Sequence, residues 1–167
     1  MVECKNLDPT ALGLFLVAVV SLALGLADLV TIDNANFVPL SGQFFTLMGI
    51  LILFVAYFAY KAESQFGFTV FALVGAAVAL TGIGMGSWEN IFFAIAFLLS
   101  IIWSFIAKTP KFLSIVLITT TLLFLCVGLN GMVDSDLTKA IGLFALLNGI
   151  FAVYLAFALA SEKVPAI

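Results

Sequence analysis

Hydroxyl and amide side chains are the groups best placed to do chemistry in this chain of 167 residues. Among the polar residues inside, or at the end of, long apolar stretches are Ser21, Thr119, Thr120, Thr121, Asn130 and Asn148. Such groups can bind a solute or a neighbouring helix by hydrogen bonds, but no base stands beside them to activate a nucleophile. The sequence therefore predicts a binding or conducting protein without catalytic residues, and an enzyme is the least favoured class.

The wider composition excludes several other kinds of site. The chain has no histidine and no arginine, so the commonest metal ligand and a phosphate-binding basic face are both missing. Its two cysteines, Cys4 and Cys126, are too few and too far apart for a disulfide scaffold or a zinc site. We expect no metal, no cofactor and no nucleic-acid partner.

The elements that must position these polar groups are membrane-spanning helices. The chain is 65% hydrophobic and 9% charged, whereas a soluble domain is nearer half apolar and a quarter charged. Crossing the hydrocarbon layer takes about 20 apolar residues in a helix. Six stretches have roughly that length, at 11–29, 42–60, 66–84, 90–107, 112–129 and 140–160. They predict an all-α, multi-pass protein of the cell membrane, with one six-helix domain covering residues 1–167 and the lipid bilayer as its surroundings.

The lysines predict the orientation of these helices. Five of the six lie on the side that holds both termini: Lys5, Lys61, Lys108, Lys111 and Lys163. Because loops rich in lysine and arginine remain in the cytoplasm, both termini are expected to be cytoplasmic.

A helical hairpin of about 50 residues recurs three times along the chain. The first, third and fifth helices would then begin on one side, and their N-terminal amides would form a vestibule that attracts anions. The first helix has a stripe of Gly13, Val17 and Ser21, the third has Thr69, and the fifth has the three threonines. Small residues and hydroxyls in this pattern serve either close helix packing or the lining of a pore, and the sequence leaves both interpretations open.

The two amides also have two interpretations each. Asn148 lies in mid-membrane, where it must find either another helix or a translocated solute as its hydrogen-bond partner. Asn130 precedes Gly131 and could equally cap the end of the fifth helix.

Residues 8–14, Asp-Pro-Thr-Ala-Leu-Gly-Leu, resemble the Asn-Pro-Ala-Pro-Leu-Gly-Leu signature of the acetate uptake transporters, the family that includes the succinate–acetate permeases. Residues 60–61 and 66–69 are similar to that family's Tyr-Lys…Phe-Gly-Leu-Thr stretch, and residues 141–156 match its C-terminal part. Departures from the family pattern are Asp8 for Asn, Ala11 for Pro, Ile52 for a pore-side Gln and Ala59 for Glu.

This resemblance implies a six-helix, channel-like carrier for acetate and similar small monocarboxylates such as formate, with succinate as a further solute. It also implies a hexamer with one central pore in each protomer. The family's apolar constriction of Phe, Tyr and Leu aligns with Val17, Val74 and Thr120, and a pore-lining hydroxyl aligns with Ser21. With valines in place of aromatic rings, we expect a wider neck, crossed either by the neutral acid or by an anion that the hydroxyls partly stabilise.

Two other functions remain open at this point. A channel for neutral amides such as urea would also have six helices and an uncharged pore. A membrane scaffold that transports nothing would use the same small residues for helix packing alone.

Overall fold

The computed structural model describes residues 9–29, 40–133 and 136–161, and in these ranges it contains six α-helices and no strand. The helices are α1 (Thr10–Leu29), α2 (Gly42–Lys61), α3 (Gln65–Ile83), α4 (Ser87–Ile106), α5 (Lys111–Asn130) and α6 (Thr138–Ser161). The predicted spans agree with these bounds to within three residues at every end. All six are long and apolar enough to cross a membrane, so the structure is that of a multi-pass membrane protein.

Local signals set where the helices begin and end. The hydroxyl of Ser41 accepts the Phe44 N–H at 3.2 Å, and the hydroxyl of Ser64 accepts the Gly67 N–H at 3.3 Å. These serines cap α2 and α3 by satisfying amides that have no partner within the helix. At the other end of α3, Gly84 has φ +96°, a left-handed conformation that glycine adopts without steric cost. The short connections after α2, α3 and α4 make the consecutive helices from α2 to α5 antiparallel.

The helices pack most closely as three pairs, α2 with α3, α4 with α5, and α1 with α6. Glycines allow this close approach. The Cα of Gly42 faces the backbone of Gly82, and that of Gly25 faces the backbone around Gly142. Gly128 approaches the backbone of Ser87 in the same way. In each pair the C-terminal half of an odd-numbered helix meets the N-terminal half of an even-numbered one, which is the arrangement expected of a threefold repeat.

The odd-numbered helices surround the centre of the bundle. Their backbones make few direct contacts with one another, and buried side chains fill the space between them. The outer surfaces of the even-numbered helices expose large apolar side chains such as Leu47, Phe92 and Phe157. Side chains of this kind suit contact with acyl chains.

We call the end where α1, α3 and α5 begin the near end, and the opposite end the far end. The orientation of these ends in the membrane stays a prediction, and two of the lysines behind it, Lys5 and Lys163, lie outside the described residues. So do Asp8 of the signature and Cys4.

Candidate pore and its polar centre

A vestibule of about 220 Å³ opens at the near end of the bundle. Its lining includes Thr10 at the start of α1, Ser64 and Gly67 at the start of α3, and Pro110 and Leu113 at the start of α5. The three N-terminal ends thus converge on one space, as the threefold pattern predicts. Exposed amides at helix N-termini give such a space a positive potential without any basic side chain.

A second, smaller cavity of about 60 Å³ lies deeper in the bundle. Five of the residues predicted from the sequence share its wall: Val17, Ser21, Val74, Thr120 and Asn148. The rest of the wall is largely apolar and consists of Val20, Leu24, Phe45, Val78, Thr81, Asn90, Leu123, Phe124 and Val127. No lining residue carries an ionisable side chain. The cavity is large enough for a few water molecules or a solute of about four non-hydrogen atoms.

Asn148 is the polar centre of this cavity. Its residue is only 2% exposed, and its Nδ2 donates to the Ser21 hydroxyl at 2.9 Å. Its Oδ1 accepts from the Thr119 hydroxyl at 2.8 Å and from the Thr120 hydroxyl at 3.1 Å. Because these residues lie on α1, α5 and α6, one amide joins three helices. Asn148 thus bonds to two other helices, and its contact with a solute stays a prediction.

This network contains two more hydrogen-bond donors than the protein has acceptors for. Each threonine has a single hydroxyl proton, and Thr119 and Thr120 can each give it to Asn148 or to a carbonyl of their own helix. Every buried side-chain nitrogen and oxygen of the described residues has at least one hydrogen-bond partner. The second N–H of Asn148 and the O–H of Ser21 nevertheless have no protein acceptor among the hydrogen bonds of these residues. Two hydrogen-bond donors at the wall of an apolar cavity can therefore bind an oxygen atom of a solute.

Four predicted site residues lie away from the central cavity. Gly13 is buried with its Cα against the ring of Phe71. Thr69 bonds the Gln65 carbonyl at 3.0 Å and Thr121 bonds the Leu117 carbonyl at 2.8 Å, each within its own helix. A hydroxyl satisfied in this way is typical of a threonine that only packs.

The fourth of these residues is Asn130 at the far end. Its Oδ1 accepts the Leu137 N–H at 2.7 Å, which links the end of α5 to the residue just before α6. The C-cap of α5 is the next residue, Gly131. Asn130 therefore has a structural partner outside the cavity.

Two polar residues of the wall, Thr81 and Asn90, were not among the predicted site residues. Asn90 lies in the first turn of α4, is buried, and donates from Nδ2 to the Gly86 carbonyl at 2.7 Å. In the sequence it is the first residue of the fourth apolar stretch, where a polar residue is commonly a solvated end. Its position before a run of apolar residues is the one signal that could have drawn attention to it.

Comparisons with known proteins find structural similarity without a sequence match. No protein-family model and no curated protein sequence matches the chain. Its structure is similar to the structure of the bacterial acetate channel SatP, with a TM-score of 0.77. The chain has that channel's fold. The similarity covers 94% of this chain and 93% of that one at 19% sequence identity. The fold implied by the family resemblance, six helices around a centre, is therefore confirmed.

Proposed function

We propose that the chain is a membrane channel of the acetate uptake transporter type, and that acetate and similar small monocarboxylates cross through the interior of each protomer. The observation that carries this proposal is the central cavity, an apolar space whose wall presents two hydrogen-bond donors without protein acceptors. The likeness to the acetate channel SatP and the resemblance of residues 8–14 to the family signature both support it.

The chemistry of a small carboxylic acid fits this cavity. Its carbonyl oxygen can accept from the Ser21 O–H and from the free Asn148 N–H, while its methyl group lies against the valines. No lysine lines the cavity, and burying a bare carboxylate without a cation costs several kcal/mol. We therefore infer that the vestibule concentrates the carboxylate, and that the solute enters the cavity as the neutral acid after the carboxylate has taken a proton from the aqueous solution.

The size of the cavity predicts which of the candidate solutes pass most readily. Formate and acetate have three and four non-hydrogen atoms, about the capacity of this cavity. Succinate has a second carboxyl group that would need room and hydrogen bonds of its own. We propose that formate and acetate pass and that succinate passes more slowly.

The alternatives fit the cavity less well. Urea would bring four N–H donors, but the Asn148 oxygen already accepts from two threonines. A scaffold without transport needs no cavity and no surplus donors in mid-membrane. The hexameric assembly implied by the family resemblance remains part of our proposal, and native mass spectrometry of the purified protein would test it.

The decisive experiment measures solute flux in proteoliposomes containing the wild type, Ser21→Ala or Ser100→Ala. Loss of the Ser21 donor should lower acetate flux about tenfold, since one hydrogen bond contributes about 1 to 1.5 kcal/mol. Ser100 is equally buried, but it bonds the Ala96 carbonyl of its own helix away from the cavity, so Ser100→Ala should conduct like the wild type. Absence of acetate and formate flux through folded wild-type protein would overturn the proposal. Urea flux that is faster than acetate flux would favour the amide channel.

A further inference from the structure

Three buried apolar side chains of the core lie between the residues that line the vestibule and those that line the central cavity. They come from the three odd-numbered helices and are 2%, 3% and 1% exposed: Leu14, Phe71 and Leu117. Of the three, only Phe71 contributes to the vestibule, and none lines the cavity. We call these residues the leucine–phenylalanine layer.

This layer lies one helical turn nearer the vestibule than the neck implied by the family resemblance. The three residues of the layer lie three positions before the three residues of that neck, Val17, Val74 and Thr120. That trio lines the cavity and so borders open space, whereas the layer before it is closed.

Phe71 is the member of the layer that both packs against Gly13 and lines the vestibule. Its ring lies directly against the Cα of Gly13, so closely that a Cβ on that residue would overlap the ring. Glycine at this position creates the recess in which the ring rests. The vestibule on the other side offers space into which the same ring can turn.

We propose that the leucine–phenylalanine layer is the barrier to conduction, and that solute passes when the Phe71 ring leaves the Gly13 recess for the vestibule. This inference rests on the proposed channel function and adds the residue that limits its rate. An apolar constriction of this kind excludes water and charged solutes while it is closed. The wider neck expected at Val17 and Val74 then does not limit the rate at which solute passes.

The test compares Phe71→Ala with Phe15→Ala in proteoliposomes. Phe15 is a matched control because it also lies on an odd-numbered helix and contacts another ring, that of Phe157, but it lines neither space. Two quantities are measured, acetate flux and osmotic water permeability by stopped-flow light scattering. Water permeability reports the opening of the path without depending on which solute is physiological.

We expect Phe71→Ala to raise both quantities about tenfold, corresponding to a barrier lowered by about 1.4 kcal/mol, and Phe15→Ala to change neither. Raised water permeability without acetate flux in any variant would support the barrier while overturning the proposed solute. Unchanged water permeability in folded Phe71→Ala, with acetate flux present, would overturn the barrier alone. If the alanine variant does not fold, Phe71→Leu removes the ring with less loss of volume and should shift both quantities in the same direction; no shift in that variant would also overturn the barrier.

Discussion

At the scale of single residues, the most informative contrast is between the two asparagines singled out from the sequence. Both are amides in or beside apolar helices, yet Asn148 joins three helices at a cavity and Asn130 fixes a connecting segment. Sequence could predict that each needed a partner, because an unpaired amide in a membrane is costly. It could not say which partner, since that depends on how each helix is rotated about its axis.

Replacing Asn148 by leucine should separate conduction from stability. The three hydroxyls that lose their partner keep, or can regain, carbonyls of their own helices, so the free energy of unfolding should fall by only about 1 kcal/mol. Acetate flux should fall to the level of protein-free vesicles because the central donor is gone and its volume is filled by an apolar side chain. Unfolding in mixed micelles and flux in vesicles measure the two effects.

Ser104→Ala is the control for this variant. Ser104 forms a hydrogen bond with Ser114 at 2.9 Å between α4 and α5, outside the cavity, so its loss removes an interhelical bond of similar kind. It should lower stability by a similar amount and leave flux intact. Equal loss of flux in both variants would mean that Asn148 acts only through packing.

At the scale of helices, the sequence predicted where each helix lies along the chain, but not which side of it faces the pore. Continuous apolar runs located all six helices because the bilayer sets their length. The same runs hide which side faces the pore, since lipid-facing and centre-facing positions are both apolar. Val74 was found through the family resemblance alone, and Val17 and Thr120 through both residue type and the resemblance. Thr69 and Thr121, selected by residue type alone, point their hydroxyls at their own helices.

Substituting a glycine between paired helices should lower the free energy of unfolding more than substituting a glycine in a turn. A Cβ on Gly82 would overlap the Gly42 carbonyl and Thr46, so Gly82→Ala must force α2 and α3 apart. We expect the free energy of unfolding to fall by about 1 to 3 kcal/mol, the usual cost of overpacking. Chemical denaturation in mixed micelles, followed by circular dichroism, measures it.

Gly86→Ala is the control for Gly82→Ala. A Cβ on Gly86 would meet only the carboxylate end of Glu89, a flexible side chain that can turn away, and the backbone there has φ −80°. Its stability should remain within about 0.5 kcal/mol of the wild type. A loss as large as that of Gly82→Ala would show that close helix approach is not what the paired glycines provide.

At the scale of the whole molecule, three similar helix pairs place three N-termini around one vestibule and leave a cavity without ionisable groups behind it. Attraction of the anion and passage of the solute are therefore separated in space. The vestibule favours the charged form through main-chain amides, and the cavity favours the neutral form through apolar walls and two donors. This division of roles makes a definite prediction about pH.

Acetate flux at constant total acetate should rise as the pH falls, by about tenfold per unit while the pH stays above the pKa of the solute, because the neutral fraction grows by that factor. Since no lining side chain titrates, the protein itself should add no further pH dependence. Stopped-flow measurement of internal acidification follows the entry of the acid, with protein-free vesicles subtracted because neutral acids also cross lipid. Water permeability of the same vesicles should stay constant over this range. Flux that is independent of pH and responds to membrane potential would mean instead that the carboxylate crosses as an anion, with Ser21 and the threonines bearing its charge.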